Sequence, residues 1–171
     1  MGARSARIGG VWDDSLGDRD KGGKVAPIVE SIEIARRPAD VFAYVTDSSH
    51  LPEWQESVVS VRREGDVPGA AASRTVVTRR VGRREREMTV EITENPPTAW
   101  AVRGIDGPVR GMVQGTVEPL PDGERSRVTI VLDFEGHGIG HLLVPLVVRG
   151  QAQAELPKNL RNLKERLESG A

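Results

Sequence analysis

The chain has 171 residues, 37% hydrophobic and 29% charged, with a formal net charge of -1. That is material for one globular domain with a real core, and the balanced charge argues against a protein built to trap nucleic acid or an acidic membrane surface. Cysteine is absent, which excludes disulfides, thiolate nucleophiles and cysteine-ligated zinc or iron–sulfur sites and agrees with a cytoplasmic location.

Aromatic residues make up only 4%, so an internal pocket has to be lined mainly by Val, Leu, Ile and Met. No apolar run approaches the roughly 20 residues that span a bilayer. The longest, "HLLVPLVV", is interrupted by Pro145. The N-terminus has no hydrophobic signal core and carries Ala6 where a myristoylation pattern needs Ser or Thr. The preference for Arg over Lys, with abundant Ala, Gly and Val, suggests a GC-rich bacterial source.

Residues 1–24 are rich in Gly, Asp and Arg and carry one isolated apolar pair, Val11-Trp12. Such a segment buries too little surface to offset its ordering entropy and is expected to be a flexible tail before a domain at 25–171. "PIVESIEI" then alternates Ile28, Glu30, Ile32 and Ile34 against Val29, Ser31 and Glu33, the period of a half-buried strand. "RRPADVFAYVTD" places Pro38 at a favoured first helical position, with Val41, Phe42 and Val45 on one helical face. "SSHLPEW" supplies a Ser cap and a second short helical turn.

Six strands are expected next: "ESVVSVRREG", "SRTVVTRR", "REREMTVEIT", "TAWAVRG", "VRGMVQGTVEPL" and "RSRVTIVLDFEG". Val81-Gly82 reads as a tight hairpin between the second and third of these. In the last, Val128, Ile130, Leu132 and Phe134 share a face. The chain closes on a long helix, in which Leu142, Leu146, Gly150, Gln153, Leu156, Leu160, Leu163 and Leu167 recur at three- and four-residue steps. A helix of about 26 residues, or ~40 Å, needs a large apolar surface, and a curved antiparallel sheet offers one. The expected class is α+β.

The opening "RRPADVFAYVTDSSHLPEW", the hairpin "VEPLPDGERSRVTIVLDFEGHG" and the terminal "LVPLVVRGQAQAELPKNLRNLKERLE" resemble the SRPBCC superfamily of START-like and birch-allergen-like proteins. The likeness is to its bacterial polyketide cyclase/dehydratase branch and covers about residues 27 to 169. It implies a helix-grip fold: a curved seven-stranded antiparallel sheet around a long C-terminal helix, with two short helices between strands 1 and 2. It also implies a mostly apolar cavity between sheet and helix. Function does not follow from this fold, because its members include cyclases, aromatases, lipid carriers and receptors.

Candidate chemistry is sparse. His137 and His141 have the i, i+4 spacing of a helical metal pair, but glycines 136, 138 and 140 surround them and no HExxH motif accompanies them, so no metal or other cofactor is expected. No GxSxG elbow, P-loop or GxGxxG helix start is present. Gly104, Gly107, Gly111 and Gly115 are spaced for sheet curvature and turns. His50, with Glu53 three residues on, is a candidate general base at a pocket mouth, beside the reading of a solvent-exposed helix start. Trp54 is expected as an apolar lid.

On the terminal helix, Arg149 and Gln153 fall in the leucine stripe and, if buried, need partners in a ligand, water or the sheet. Arg149 is thus the other catalytic candidate, with snorkelling from the stripe's edge as the alternative. Gly150 would admit close approach to the helix, and Pro157 is expected to kink it. Strand parity puts Arg86 with Met88, Val90 and Ile92, and Trp100 with Val102. The expected ligand-contact set is therefore Trp54, Arg86, Met88, Val90, Trp100, Val102, Ile130, Leu132, Leu142, Leu146, Arg149, Gly150 and Gln153.

Arg79, Arg80, Arg83, Arg84 and Arg86 crowd one hairpin, read as a solvated turn or as a docking point for an acidic protein. Two functions stay open: a carrier of a small hydrophobic, polyketide-like or aromatic molecule, and a cyclase, aromatase or dehydratase acting on one. The isolated polar groups favour the carrier.

Overall fold

A computed structural model of the chain describes residues 26–64, 72–95, 98–106, 109–136 and 148–170. In chain order these form β1 (Ile28–Ile34), α1 (Pro38–Thr46), a 3-10 turn (Ser48–His50), α2 (Leu51–Trp54), β2 (Val58–Arg63), β3 (Ala72–Val81), β4 (Arg84–Asn95), β5 (Ala99–Gly104), β6 (Val109–Pro119), β7 (Ser126–Gly136) and α3 (Arg149–Ser169). The order is the expected one: a strand, two short helices, six strands and a C-terminal helix. The expected tail and its Trp12, together with His137, His141, Leu142 and Leu146, lie outside the described residues.

Local chemistry accounts for the boundaries. Arg37 is extended, and Pro38 begins α1 with its ring already at a helical φ and no N–H to lose. Val41, Phe42 and Val45 are the buried face of that helix. Asp47 ends it and caps the next turn, its Oδ1 accepting from the Ser49 backbone N–H at 2.9 Å and from the Ser49 hydroxyl at 2.7 Å. In the β3–β4 hairpin the turn pair is Gly82-Arg83, with Val81 opposite Arg84. The turn thus sits one residue later than expected, because its first position is left-handed and Gly82, at φ 61°, is the residue that adopts this without strain.

All seven strands join one antiparallel sheet in the order β1-β7-β6-β5-β4-β3-β2. Hydrogen-bonded neighbours are sequential except for β7, which returns to pair with β1. Register and parity put Ile28, Ile32 and Ile34 of β1, Val113, Gly115 and Val117 of β6, and Val128, Ile130 and Leu132 of β7 on the concave face.

The helix α3 lies over that face with Leu156, Leu160 and Leu163 buried. Each such side chain contributes about 1.5–3 kcal/mol when fully removed from water. Its flanks are pinned by polar contacts. On the β1 side, the Lys164 ammonium donates to the Glu33 carbonyl (2.7 Å), the Ala35 N–H to Glu168 Oε1 (2.7 Å) and Arg36 Nε to the Leu167 carbonyl (2.6 Å). On the other side, the Glu56 N–H donates to Asn159 Oδ1 (3.4 Å) and Asn162 Nδ2 to the Trp54 carbonyl (3.4 Å).

One expectation about α3 is corrected: Gln153 and Gly150 are exposed rather than part of the buried stripe. At 100° per residue, the buried set Leu156, Asn159, Leu160 and Leu163 is centred about 70° from Gln153, toward the α2 side. Gln153 therefore falls on the margin that overlooks β1. Pro157 lies inside the helix and offers no N–H to the Gln153 carbonyl; at this exposed position water can take its place.

The concave face is closed at one end. Ile34, Val41, Val117, Val128, Leu160 and Leu163 are all within 2% of complete burial there. Leu163→Ala is expected to cost about 2–5 kcal/mol of unfolding free energy in urea titrations, because the cavity cannot collapse between sheet and helix. Gln153→Ala is expected to stay within about 0.5 kcal/mol of wild type.

Candidate functional site

Three places on the molecule bring polar or pocket-lining groups together. The first is the concave face itself. Trp100 on β5 stands directly opposite Gly115 on β6, and a Cβ placed on Gly115 would lie 2.1 Å from Trp100 Cζ2. The indole therefore fills the space of the missing side chain. Phe42 of α1 meets the same ring edge-on, with centroids 6.4 Å apart and planes at 78°. Phe134 stands opposite Gly111 and overlies it in ordinary van der Waals contact, 3.7 Å from where a Cβ would be.

Beyond Trp100, in the direction away from α1, burial falls off. Val102, Val113, Leu132 and Phe134 pack against the core but stay partly accessible, although all four are on the inward face. Two rows of paired residues cross this region: Leu132–Val113–Val102–Ile92, and Phe134–Gly111–Gly104–Val90. Neither row contains a titratable group. Next to Val90 stands Thr75, 1% exposed, whose hydroxyl has no partner among the described residues.

The second place is a cleft of about 260 Å³ between the loop after α2, the β3–β4 hairpin and the first turns of α3. Glu56, Ser57, Arg80, Gly82, Gln151 and Glu155 line it. Behind that lining lies Arg79, which corrects the reading of this residue as part of a solvated tip. Its guanidinium donates to Ser57 Oγ at 3.1 Å and to Gln55 Oε1 at 2.6 Å. Desolvation pushes its pKa below the usual guanidinium value, while the charge of Glu155 works against that shift. Parity explains the inward turn: Arg79 lies on the same face of β3 as Val77 and Thr75 and directly opposite Val58. Arg80, Arg83, Arg84 and Arg86 are exposed, and Arg80 pairs with Glu85 at 3.6 Å.

The third place surrounds His50. Its ring stacks on Tyr44, centroids 4.2 Å apart, and Nδ1 lies 2.8 Å from Glu53 Oε1. Because an ionised carboxylate only accepts, Nδ1 carries the proton. Nε2 faces Asp47 Oδ2 at 4.0 Å, and Glu53 Oε2 accepts from the Tyr44 hydroxyl at 3.0 Å with Arg166 Nε 3.9 Å away. Both nitrogens of His50 thus face carboxylates, and the group ties α1, α2 and α3 together at the surface. The His50 ring and the Tyr44 hydroxyl hold the Glu53 carboxyl below the ordinary carboxylate range, and the Ser49 hydroxyl and N–H do the same for Asp47.

The other expected site residues are dispersed. Trp54 is buried in the core rather than set at a mouth, its Nε1 without a partner among the described residues. Val90 and Ile92 are buried with Met88 packed beside them, whereas Arg86, two residues further toward the turn, is exposed. Ile130 and Trp100 are buried, Val102 and Leu132 partly so. Arg149 donates its guanidinium to the Ala26 carbonyl, just before β1. Among the described residues no group of three His, Asp or Glu side chains is placed to hold a metal ion. Sequence reasoning missed Arg79 and Gly115. The first had a signal in strand parity with Val77, and the second in its register with Trp100, which sequence does not display.

Comparison with known proteins agrees with this architecture. The family model described as polyketide cyclase / dehydrase and lipid transport matches residues 26–168. A START superfamily protein from Mycobacterium smegmatis superposes with a TM-score of 0.67 at 14% identity, over 86% of this chain and 100% of that one. The Zhui aromatase/cyclase of a Streptomyces species gives 0.70 at 13% identity, over 83% and 93%. A protein of Thermus thermophilus gives 0.69 at 20% identity, over 85% and 99%. These likenesses are of fold. No curated protein matches the sequence.

The Tyr44 network makes a prediction that is easy to read, because Tyr44 is the only tyrosine in the chain. Burial, the hydrogen bond to Glu53 and that carboxylate's charge push its phenol up from 10.0 to about 12. An alkaline absorbance titration is expected to show a late midpoint, and Glu53→Gln should move it back toward 10.0. A raised phenol pKa favours the neutral form, so its contribution to stability is complete below about pH 10 and is lost as pH rises through about 12.

Proposed function

Because the chain belongs to the polyketide cyclase / dehydrase and lipid transport family, we propose that it holds a small, largely apolar molecule, polyketide-like or aromatic, between the concave face of the sheet and α3. The observation that carries this reading is the partial exposure of Val102, Val113, Leu132 and Phe134 on an inward face whose other end is sealed. Apolar side chains turned inward and still wettable are what a hydrophobic ligand gains by covering, at about 25 cal/mol per Å² removed from water.

In this reading Val102, Leu132 and Trp100 of the expected contact set form the sheet wall, with Val113, Phe134 and Gly111 added from register. Ile130 backs that wall, and Met88 and Val90 continue it toward β3. Arg149, bonded to the Ala26 carbonyl, stands at the β1 side of the helix.

The absence of titratable groups from the two crossing rows favours binding over catalysis on this face. The fold shared with an aromatase/cyclase keeps cyclisation of a bound polyketide as the enzyme form of the same proposal. It would need proton transfer from a group at the margin.

The test is saturable binding of an environment-sensitive anilinonaphthalene dye to the intact protein. Wild type is expected to saturate one site. Leu132→Arg, which puts a charge among Val113, Ile28 and the ligand, is expected to weaken it by about 10-fold or more while the far-ultraviolet spectrum and cooperative melt survive. A folded wild type with no saturable site would refute the proposal.

A further inference from the structure

The sealed and open halves of the concave face meet at one side chain. On one side of Trp100 lie Val117, Val128, Val41 and Ile34, none more than 0% exposed; on the other lie the partly accessible Val102, Val113, Leu132 and Phe134. Trp100 itself is 5% exposed and Ile130, in the same row, 3%. The indole is held from three directions: by the bare Cα of Gly115 beneath its six-membered ring, by the edge of Phe42, and by the core it joins with Leu156 and Leu160 of α3.

We infer that Trp100, seated on Gly115, is the end wall of the ligand space and sets how long a ligand the concave face accepts. This rests on the binding reading above and adds a specificity determinant to it. The physical reason is the seat. With no Cβ at position 115, the ring lies down against β6 instead of standing over the open half. In that position it blocks the passage toward α1 while leaving Val113 and Leu132 partly accessible. A wall supported on three sides in a close-packed core does not yield to an arriving methylene, so the space ends abruptly. The ligand class this fits is a molecule with a linear or narrow apolar end that reaches along β6 toward Trp100.

The experiment measures displacement of the dye by straight-chain saturated carboxylic acids, from about eight to about sixteen carbons, on the full chain. Each added methylene that finds apolar cover tightens binding about fourfold. Wild-type affinity is therefore expected to climb with length and then level off abruptly once the tail reaches Trp100. In Trp100→Ala the break should move to longer acids by about four carbons, the apolar surface of an indole being worth at least that many methylenes. Trp100→Phe should move it by less, and this variant answers the question if Trp100→Ala does not fold. A break at the same length in a folded Trp100→Phe and in wild type, or no break in wild type, overturns the wall while leaving binding intact. Failure of wild type to bind either dye or acids overturns the binding reading and the wall together.

Discussion

The constraint on which the rest of this structure depends is the placement of a single helix across a curved sheet. Leu156, Leu160 and Leu163 bury against the concave face, which among the described residues is also covered by α1 through Val41, Phe42 and Val45 and by α2 through Leu51 and Trp54. The helix is held by more than its apolar stripe. Its flanks are bonded to β1 on one side and to the segment after α2 on the other, largely through the backbone groups of those elements. Backbone partners matter because they fix the height and rotation of the helix without depending on the packing of long side chains. At that height Val102, Val113, Leu132 and Phe134, which the leucines do not seal, stay partly accessible.

How the concave face is surfaced depends on glycine. Gly115 and Gly111 are four residues apart on β6 and face the interior, and each stands opposite an aromatic residue of a neighbouring strand. Glycine in a strand normally weakens it; here the ring of the neighbour supplies the packing that the glycine lacks. The two rings line the sheet surface at the points where side chains of β6 would otherwise rise. Two polar clusters are set outside this region. His50 is absorbed in a network with Tyr44, Glu53 and Asp47, and Arg79 is engaged by Gln55 and Ser57 beside a separate cleft. The two rows that cross the face beyond Trp100 are thus left without a titratable group.

Much of the fold was legible in the residues. Alternation in "PIVESIEI" and in the β7 segment, Pro38 ahead of Val41, Phe42 and Val45, and the leucine spacing of the last helix each follow from a local period. Those periods are set by backbone geometry and hold wherever the element is placed. The candidate site was less legible. Gln153 shares the leucine stripe to within about 60° on a helical wheel, yet it is exposed. Which margin of a stripe is covered depends on how the helix rolls against its neighbours, and those neighbours are more than a hundred residues away in sequence. Trp54 likewise looked like a mouth residue because it ends a short helix after a proline, and it is core because Asn162 and the α3 leucines come down on it.

What the sequence determined alone, then, was the inventory: a strand, two short helices, six strands and a long amphipathic helix, an apolar interior poor in aromatics, and no thiol chemistry. These depend on residue type and on near-neighbour spacing. What only the tertiary structure decided was which residues meet. Trp100 lies on Gly115 because β5 and β6 pair in one register out of several that alternation allows, and a shift by one residue would turn the indole to the other face of the sheet. Arg79 is drawn inward while Arg80 stays in water for the same reason of parity, once Ser57 and Gln55 are brought beside it. Alternation in sequence defines two faces for each strand, and only packing against the helix decides which of them becomes the interior.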